Sequence, residues 1–166
     1  MIRLINIDKK NYLSIINLNP GKENKEYIDD ISECILKHLF YRKSVIKGIY
    51  LNETPIGFVM IDNKYNNKWI GQFMIDQKYQ RKGYGKIALK LIIRYIEKKY
   101  FSSKIYLSTN NNLAERLYLK FGFIKLEDNF SDIYKSQTGE DVFVLNLKDM
   151  NYHDAKNLGL DSVLEI

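Results

Sequence analysis

From Ile2 to Ile7 apolar and polar positions alternate with a period near two, which predicts a strand, and Asp8 is placed to cap a short helix through Ile15 and Ile16. Asn19, Pro20 and Gly21 make a turn. Between Glu23 and about Leu39 the apolar residues Ile28, Ile31, Ile35 and Leu39 recur at helical spacing, with Asp29, Asp30 and Glu33 towards the other face, so an amphipathic helix is predicted. Val45 to Leu51 and Ile56 to Ile61, joined by the turn Asn-Glu-Thr-Pro, read as a hairpin, and Trp69 to Ile75 as a third strand. A helix follows from Tyr84 to about Lys99, then a strand at Lys104 to Ser108 and a helix at Asn112 to Phe121. A short strand at Phe123 to Leu126 and a last one at Val142 to Leu147 close a final hairpin. Strands first, then strand and helix in alternation, predict a mixed α+β fold in three layers.

Composition adds boundaries to this picture. The chain has 166 residues and no low-complexity segment, so residues 1–147 are expected to form one domain and 148–166 a C-terminal extension. Leu158, Leu160 and Val163 give that extension a modest apolar face, suited to docking on the domain or on a second subunit. Charge interrupts every apolar run well short of the ~20 residues of a membrane span, and the N-terminus has no signal-type apolar core, so a cytoplasmic protein without a membrane partner is expected. Cys34 is the one cysteine and His38 and His153 the two histidines, too few for a disulfide or a Cys/His metal cluster. The net charge of +6 favours an anionic ligand. Thirteen tyrosines interleave with lysines, but no nucleic-acid motif spacing is present, and no nucleic-acid partner is expected.

The anion has a candidate seat in Tyr79 to Leu89, YQRKGYGKIAL, a turn between a strand and a helix. The first amides of a helix lack partners and its dipole favours negative charge, so a phosphate can accept several hydrogen bonds there. Glycine at 83 and 85 removes the Cβ atoms that would hold an anion off, and Arg81, Lys82 and Lys86 add charge. Gly-Lys-Ser/Thr is absent, which excludes the P-loop, and the third glycine of a dinucleotide fingerprint would fall at Ala88. The same residues also suit a plain glycine turn entering a surface helix.

The second candidate is Asn110 to Phe123, NNNLAERLYLKFGF. Asn112 and Glu115 have capping-box spacing, Gly122 can end the helix, and Ala114 lies one turn before Tyr118 on the same face. Alone, Tyr118 also suits a core position with its hydroxyl bonded to a backbone carbonyl.

Together, Gln-x-x-Gly-x-Gly opening a helix and Asn-x-x-Ala-x-x-x-Tyr-x-x-x-Gly-Phe after the next strand resemble the GNAT family of acetyl-coenzyme A dependent N-acetyltransferases, over roughly Ile2 to Leu147. Within it the chain looks like the bacterial spermine/spermidine acetyltransferases: NKEYID at Asn24, PIGFVM at Pro55, W-x-x-x-FMID at Trp69 and the terminal GEDVFVLNL match that layout. It departs from them at Gly71 and Gln72, where an acidic residue and an arginine are usual, and at Asn24, usually Gln. The resemblance implies a mostly antiparallel twisted central sheet with helices on both faces, acetyl-CoA as cosubstrate, a small-molecule amine as acceptor and a homodimer. It implies that main-chain groups of Phe73, Met74 and Ile75 bind the pantetheine arm as an added strand would. Amides from Arg81 through Lys82, Gly83, Tyr84 and Gly85 to Lys86 would cradle the pyrophosphate, Asn111 would touch the cofactor, and Tyr118 would be the general acid.

An amine nucleophile must be neutral, whereas an alkylamine of pKa about 10.4 is deprotonated in roughly one molecule in 2,500 at pH 7, a cost of about 4.6 kcal/mol. A base or desolvation must offset this, and Glu33, with Asp29 and Asp30 beside it, is the candidate base on the helix expected to wall the acceptor cleft. These acids equally suit a solvated helix face. Together with Asp76 they could form an acidic groove for a polycation. Cys34 is expected to pack rather than react. Acceptors other than a polyamine (a protein N-terminus, a lysine or an aminoglycoside), or a non-catalytic cofactor-binding module, are the competing readings.

Overall fold

The computed structural model describes residues 1–41 and 44–148. The C-terminal extension from 149 on, with Leu158, Leu160 and Val163, lies outside the described residues. Strand β1 (Ile2–Asn6) leads to a short helix α1 (Tyr12–Ile16), a 3-10 turn at Lys22–Tyr27 and helix α2 (Ile31–Tyr41). Strands β2 (Ser44–Leu51), β3 (Thr54–Lys64) and β4 (Asn67–Ile75) follow as a meander. Helix α3 (Tyr84–Tyr100), β5 (Lys104–Thr109), α4 (Asn112–Lys120), β6 (Ile124–Lys125), α5 (Asn129–Thr138) and β7 (Asp141–Asn146) complete the order.

The seven strands form one sheet in the order β1-β2-β3-β4-β5-β7-β6. All neighbours run antiparallel except β4 and β5, which are parallel because α3 carries the chain back across the sheet. The strands alternate their side chains between two cores. On one face Val59, Ile61, Ile70, Ile105 and Leu107 pack beneath Ala88, Leu89, Ile92, Ile93 and Ile96 of α3 and Phe121 at the end of α4. On the other, Phe58, Met60 and Met74 meet Ile15, Ile31 and Cys34 of α1 and α2. Each such apolar side chain contributes about 1.5–3 kcal/mol by leaving water. Burial pushes the Cys34 thiol up to about 12, with the charge of Asp29 adding to the effect, so the thiol stays protonated and unreactive at neutral pH.

Three local expectations are corrected. Asn11, not Asp8, stands at the cap position of α1, without a side-chain bond to the helix, because the Asp8 carboxylate closes a turn onto the Lys10 amide at 2.7 Å. The helix expected from Glu23 to Leu39 is broken at Ile28, whose backbone is extended, and restarts at Ile31, because Asp30 Oδ1 accepts from the amides of Ser32 (2.8 Å) and Glu33 (3.3 Å). Only Ile31 and Cys34 of α2 are buried, and Leu39 is exposed. β6 and β7 pair antiparallel as expected, but they are connected by helix α5, which was not predicted and whose signals are the Asp128/Ser131 capping box and Gly139 at φ +76°.

Candidate active site

Strands β4 and β5 pair only at Lys68–Ile70 against Ile105–Leu107; beyond that point the two part. The cause is local to β4. Met60 faces Gln72 while Ile61 faces Ile70, so Gly71 is an extra residue, a bulge that bends β4 where it leaves β5. A side chain at 71 would collide with the Asp62 carboxylate, which explains glycine there. Between the parted strands opens a cavity of about 540 Å³, lined by Trp69 to Ile75 of β4, Ser108 and Thr109 of β5, and Asn111, Ala114, Leu117 and Tyr118 of α4. The segment from Pro20 to Asp29, the turn residues Gln80, Arg81 and Gly85, and Tyr134, Thr138 and Glu140 close it.

The bent edge of β4 offers main-chain groups to this space. Asp76 donates from its amide to Ile56 O at 2.8 Å, and the antiparallel alternation then turns Phe73 and Ile75 away from β3 and Met74 towards it. A side chain at Gly57 would meet the Met74 carbonyl oxygen, in agreement with this phase. Met74 lines the cavity with Phe73 and Ile75, but its main chain belongs to the β3 pairing and its side chain packs in the core. The Ile75 carbonyl accepts from Gln80 Nε2 at 2.7 Å, leaving Phe73 to present both its amide and its carbonyl.

At one end stands the start of α3. Gly83 is its cap residue in the left-handed region (φ +81°), no side chain caps the helix, and no acid occupies its first turn. Arg81, at φ +59°, adds a second left-handed bend and pairs loosely with Glu23 at 3.6 Å on the surface. Of the turn residues expected to bind an anion, Arg81 and Gly85 line the cavity. Lys82 turns back to the Lys78 carbonyl at 2.8 Å. Tyr84 and Lys86 do not line the cavity and can contribute through their amides, which begin the helix. Gly85 has an ordinary φ, and a Cβ there would meet only Ile75 Cγ1, at 3.9 Å.

At α4 the cap is Asn111 rather than the expected Asn112: its Oδ1 accepts from the amides of Leu113 (2.9 Å) and Ala114 (3.1 Å), and its Nδ2 donates to Asn24 Oδ1 at 3.3 Å. Asn111 lines the cavity with a side chain already engaged. Tyr118 is buried, 8% exposed, with its ring 5.8 Å from that of Phe123. Burial raises its phenol well above the ordinary value, and the charge of Glu140 acts the same way, so the proton is firmly held.

The expected base is not brought to the cavity. Glu33 lies on the exposed side of α2 in an ion pair with Lys37 at 2.9 Å. Asp29 does line the cavity and lies 3.5 Å from the same lysine. Asp30 is the cap of α2. Asp76 is buried and structural, accepting from the amides of Asn19 and Lys78, both at 2.9 Å. The acidic groove expected from these four residues is therefore not formed. In its place the structure collects Trp69, stacked between Tyr106 (5.3 Å) and Tyr134 (5.6 Å), with Ser108 donating to Glu140 Oε2 at 2.6 Å. These residues come from four separate elements, and no spacing in the chain announces them.

The family model for the acetyltransferase (GNAT) family matches residues 8–123. The chain belongs to the GNAT acetyltransferase family. Its sheet, parted between β4 and β5 with helices on both faces, is the GNAT fold, and solved GNAT structures superpose over most of it. The PaiA N-acetyltransferase of Thermoplasma acidophilum, in complex with coenzyme A, is 16% identical with a TM-score of 0.64, covering 88% of this chain and 99% of its own. A spermidine N-acetyltransferase SpeG chimera from Vibrio cholerae and hSSAT is 20% identical with a TM-score of 0.65, covering 89% and 96%. The ribosomal-protein-S18-alanine N-acetyltransferase of Escherichia coli is 17% identical with a TM-score of 0.61, covering 87% and 91%. No curated protein sequence matches this GNAT chain. Among the described residues no helix is long and apolar enough to cross a membrane, and no group of three or more His, Cys, Asp or Glu could hold a metal ion.

Proposed function

We propose that this GNAT protein transfers the acetyl group of acetyl-CoA directly to a primary amine, most readily that of a polyamine. The observation that carries the reading is the parted edge of β4, where Phe73 presents main-chain groups to a cavity bounded by the uncapped start of α3 and by Tyr118. The residues fit the cosubstrate: free helix amides and Arg81 suit a pyrophosphate, an exposed strand edge suits an amide-bearing arm, and Gly85 leaves space between them. Bound acetyl-CoA supplies an activated thioester.

The remaining work falls to the chain. Tyr118 holds a proton at its hydroxyl oxygen for the departing sulfur. In water a phenol is a poor acid towards a thiolate of pKa about 8.5, and burial holds the Tyr118 proton more firmly, so the transfer requires that the same burial also raise the basicity of the sulfur beside it. The walls of the cavity strip water from the incoming amine, which favours its neutral form and offsets part of the cost of about 4.6 kcal/mol at pH 7.

Glu23, Asp29 and Glu140 line the cavity against two bases, Lys64 and Arg81, an acidic excess in a chain with net charge +6 that supports a cationic acceptor. The SpeG chimera is named for spermidine, and the layout resembles that subgroup. Gly71 and Gln72, where that subgroup usually carries charge, favour as a second reading a different amine, such as a protein N-terminus. Thiol release from acetyl-CoA in the presence of spermine, spermidine, an aminoglycoside and peptides with free N-terminal or lysine amines tests both. Turnover with the polyamines is expected; turnover confined to another amine overturns the polyamine assignment, and none at all overturns the enzyme.

A further inference from the structure

Two consecutive acids, Glu140 just before β7 and Asp141 at its start, meet opposite fates. Asp141 accepts from Lys135 at 2.8 Å and Lys125 at 2.9 Å, so these two lysines are committed to it, while Lys64 of the cavity wall pairs with Asp62 at 3.7 Å. Glu140 lines the cavity instead and has no ion pair among the described residues. Its partner is a neutral hydroxyl, Ser108 Oγ, which donates to Oε2 at 2.6 Å.

That hydroxyl is itself held. Ser108 Oγ lies 3.1 Å from the hydroxyl of Tyr134, and the Tyr134 ring stacks on Trp69, which is 2% exposed and fixed on its other side by Tyr106. A carboxylate on a rigid aromatic support, facing a cavity and lacking a cation, is arranged to receive one from outside. The other acids of the cavity wall are less free: Glu23 faces Arg81 and Asp29 faces Lys37.

We propose that Glu140 is the acceptor-binding carboxylate, receiving the incoming amine in its ammonium form, before the attacking nitrogen loses its proton, on the cavity wall it shares with Tyr118, with Ser108 and Tyr134 as its positioning residues. The ligand class is an alkylammonium. The raised phenol of Tyr118, which senses the charge of Glu140, agrees with this proximity. The inference rests on the acetyltransferase reading for its setting but concerns binding alone, so the two can fail separately.

The test is calorimetric titration of the CoA-loaded protein with spermidine and, separately, butylamine, for wild type, E140Q and S108A. E140Q is expected to weaken amine binding at least tenfold and S108A about threefold, with the dissociation constant for CoA unchanged in both. Wild-type amine affinity in E140Q overturns the proposal, as does a wild-type protein that binds neither amine. If E140Q does not fold, S108A decides alone, and wild-type affinity in it is the overturning result. Amine binding that depends on Glu140 without any acetyl transfer would overturn the proposed function and leave this inference standing. Transfer by E140Q with an unaltered KM for the amine would do the reverse.

Discussion

The side-chain amide of Gln80 donates to the main-chain carbonyl of Ile75 at 2.7 Å and, from the same nitrogen, to that of Pro20 at 2.9 Å. One residue thus ties the turn before α3 to the end of β4 and to the segment that closes the cavity. Leaving two part-buried carbonyls without this donor costs about 1–3 kcal/mol. Gln80→Ala is therefore expected to lower the thermal midpoint by several degrees and raise the KM for acetyl-CoA several-fold, read by melting and steady-state kinetics. An unchanged KM would separate the turn from cofactor binding.

Gly83 and Gly85 are glycines for different reasons. At Gly83 nothing blocks a Cβ, but φ +81° strains any other residue, so Gly83→Val is expected to cost about 1–2 kcal/mol of stability and to weaken acetyl-CoA severely. At Gly85 the backbone is helical and unstrained, so alanine should hold or raise stability, by up to about 1 kcal/mol. Its methyl group would enter the cavity. Gly85→Ala is expected to melt no lower than wild type yet bind acetyl-CoA about tenfold more weakly; wild-type affinity would remove Gly85 from the site.

Tyr118→Phe keeps the ring against Phe123 and removes only the hydroxyl. An enzyme that uses the phenol should lose kcat by about 100-fold, in the range of general acid catalysis, with little change in CoA affinity. A non-catalytic binding module would be indifferent.

Glu33→Gln removes the carboxylate expected from the sequence to act as base. Because Glu33 is exposed and paired with Lys37, kcat/KM is expected to stay within about twofold and stability within about 0.5 kcal/mol. A large loss of activity with the fold intact would return Glu33 to the mechanism.

The two lysines beside Asp141 hold its carboxyl below the ordinary value of 3.8. A depressed folded pKa contributes stability that is present above the unfolded value and lost as pH falls through the folded one. Asp141→Asn should therefore melt slightly below wild type at pH 7, and the gap should close as pH falls below 3.8 and through the depressed folded value. A gap that persists in acid would mean that packing, not charge, sets the difference.

Periodicity determined the strands, α3 and α4 to within three residues at each end, because their buried faces are continuous along the chain. The pair Gly83 and Tyr118 was legible for a similar reason: each sits in a local motif, a turn opening a helix and a helix ending in Gly-Phe. Sequence spacing misplaced what depends on competition between neighbours. Asp30 outbid the helical pattern around it by capping α2, and Asn111 did the same to Asn112. The phase of β4, which turns the main-chain groups of Phe73 rather than those of Met74 away from β3, depends on its pairing with β3 and is invisible along β4 itself. The acceptor end lay furthest from view. Trp69, Ser108, Tyr134 and Glu140 come from a strand edge, a second strand, a helix without an apolar pattern and the start of β7, and only the parting of the sheet brings them to one wall. Local chemistry along the chain determined the family and the glycine turn that opens α3; the sheet's bulge at Gly71, a long-range packing event against Asp62, decided where the cavity opens and which carboxylates face it.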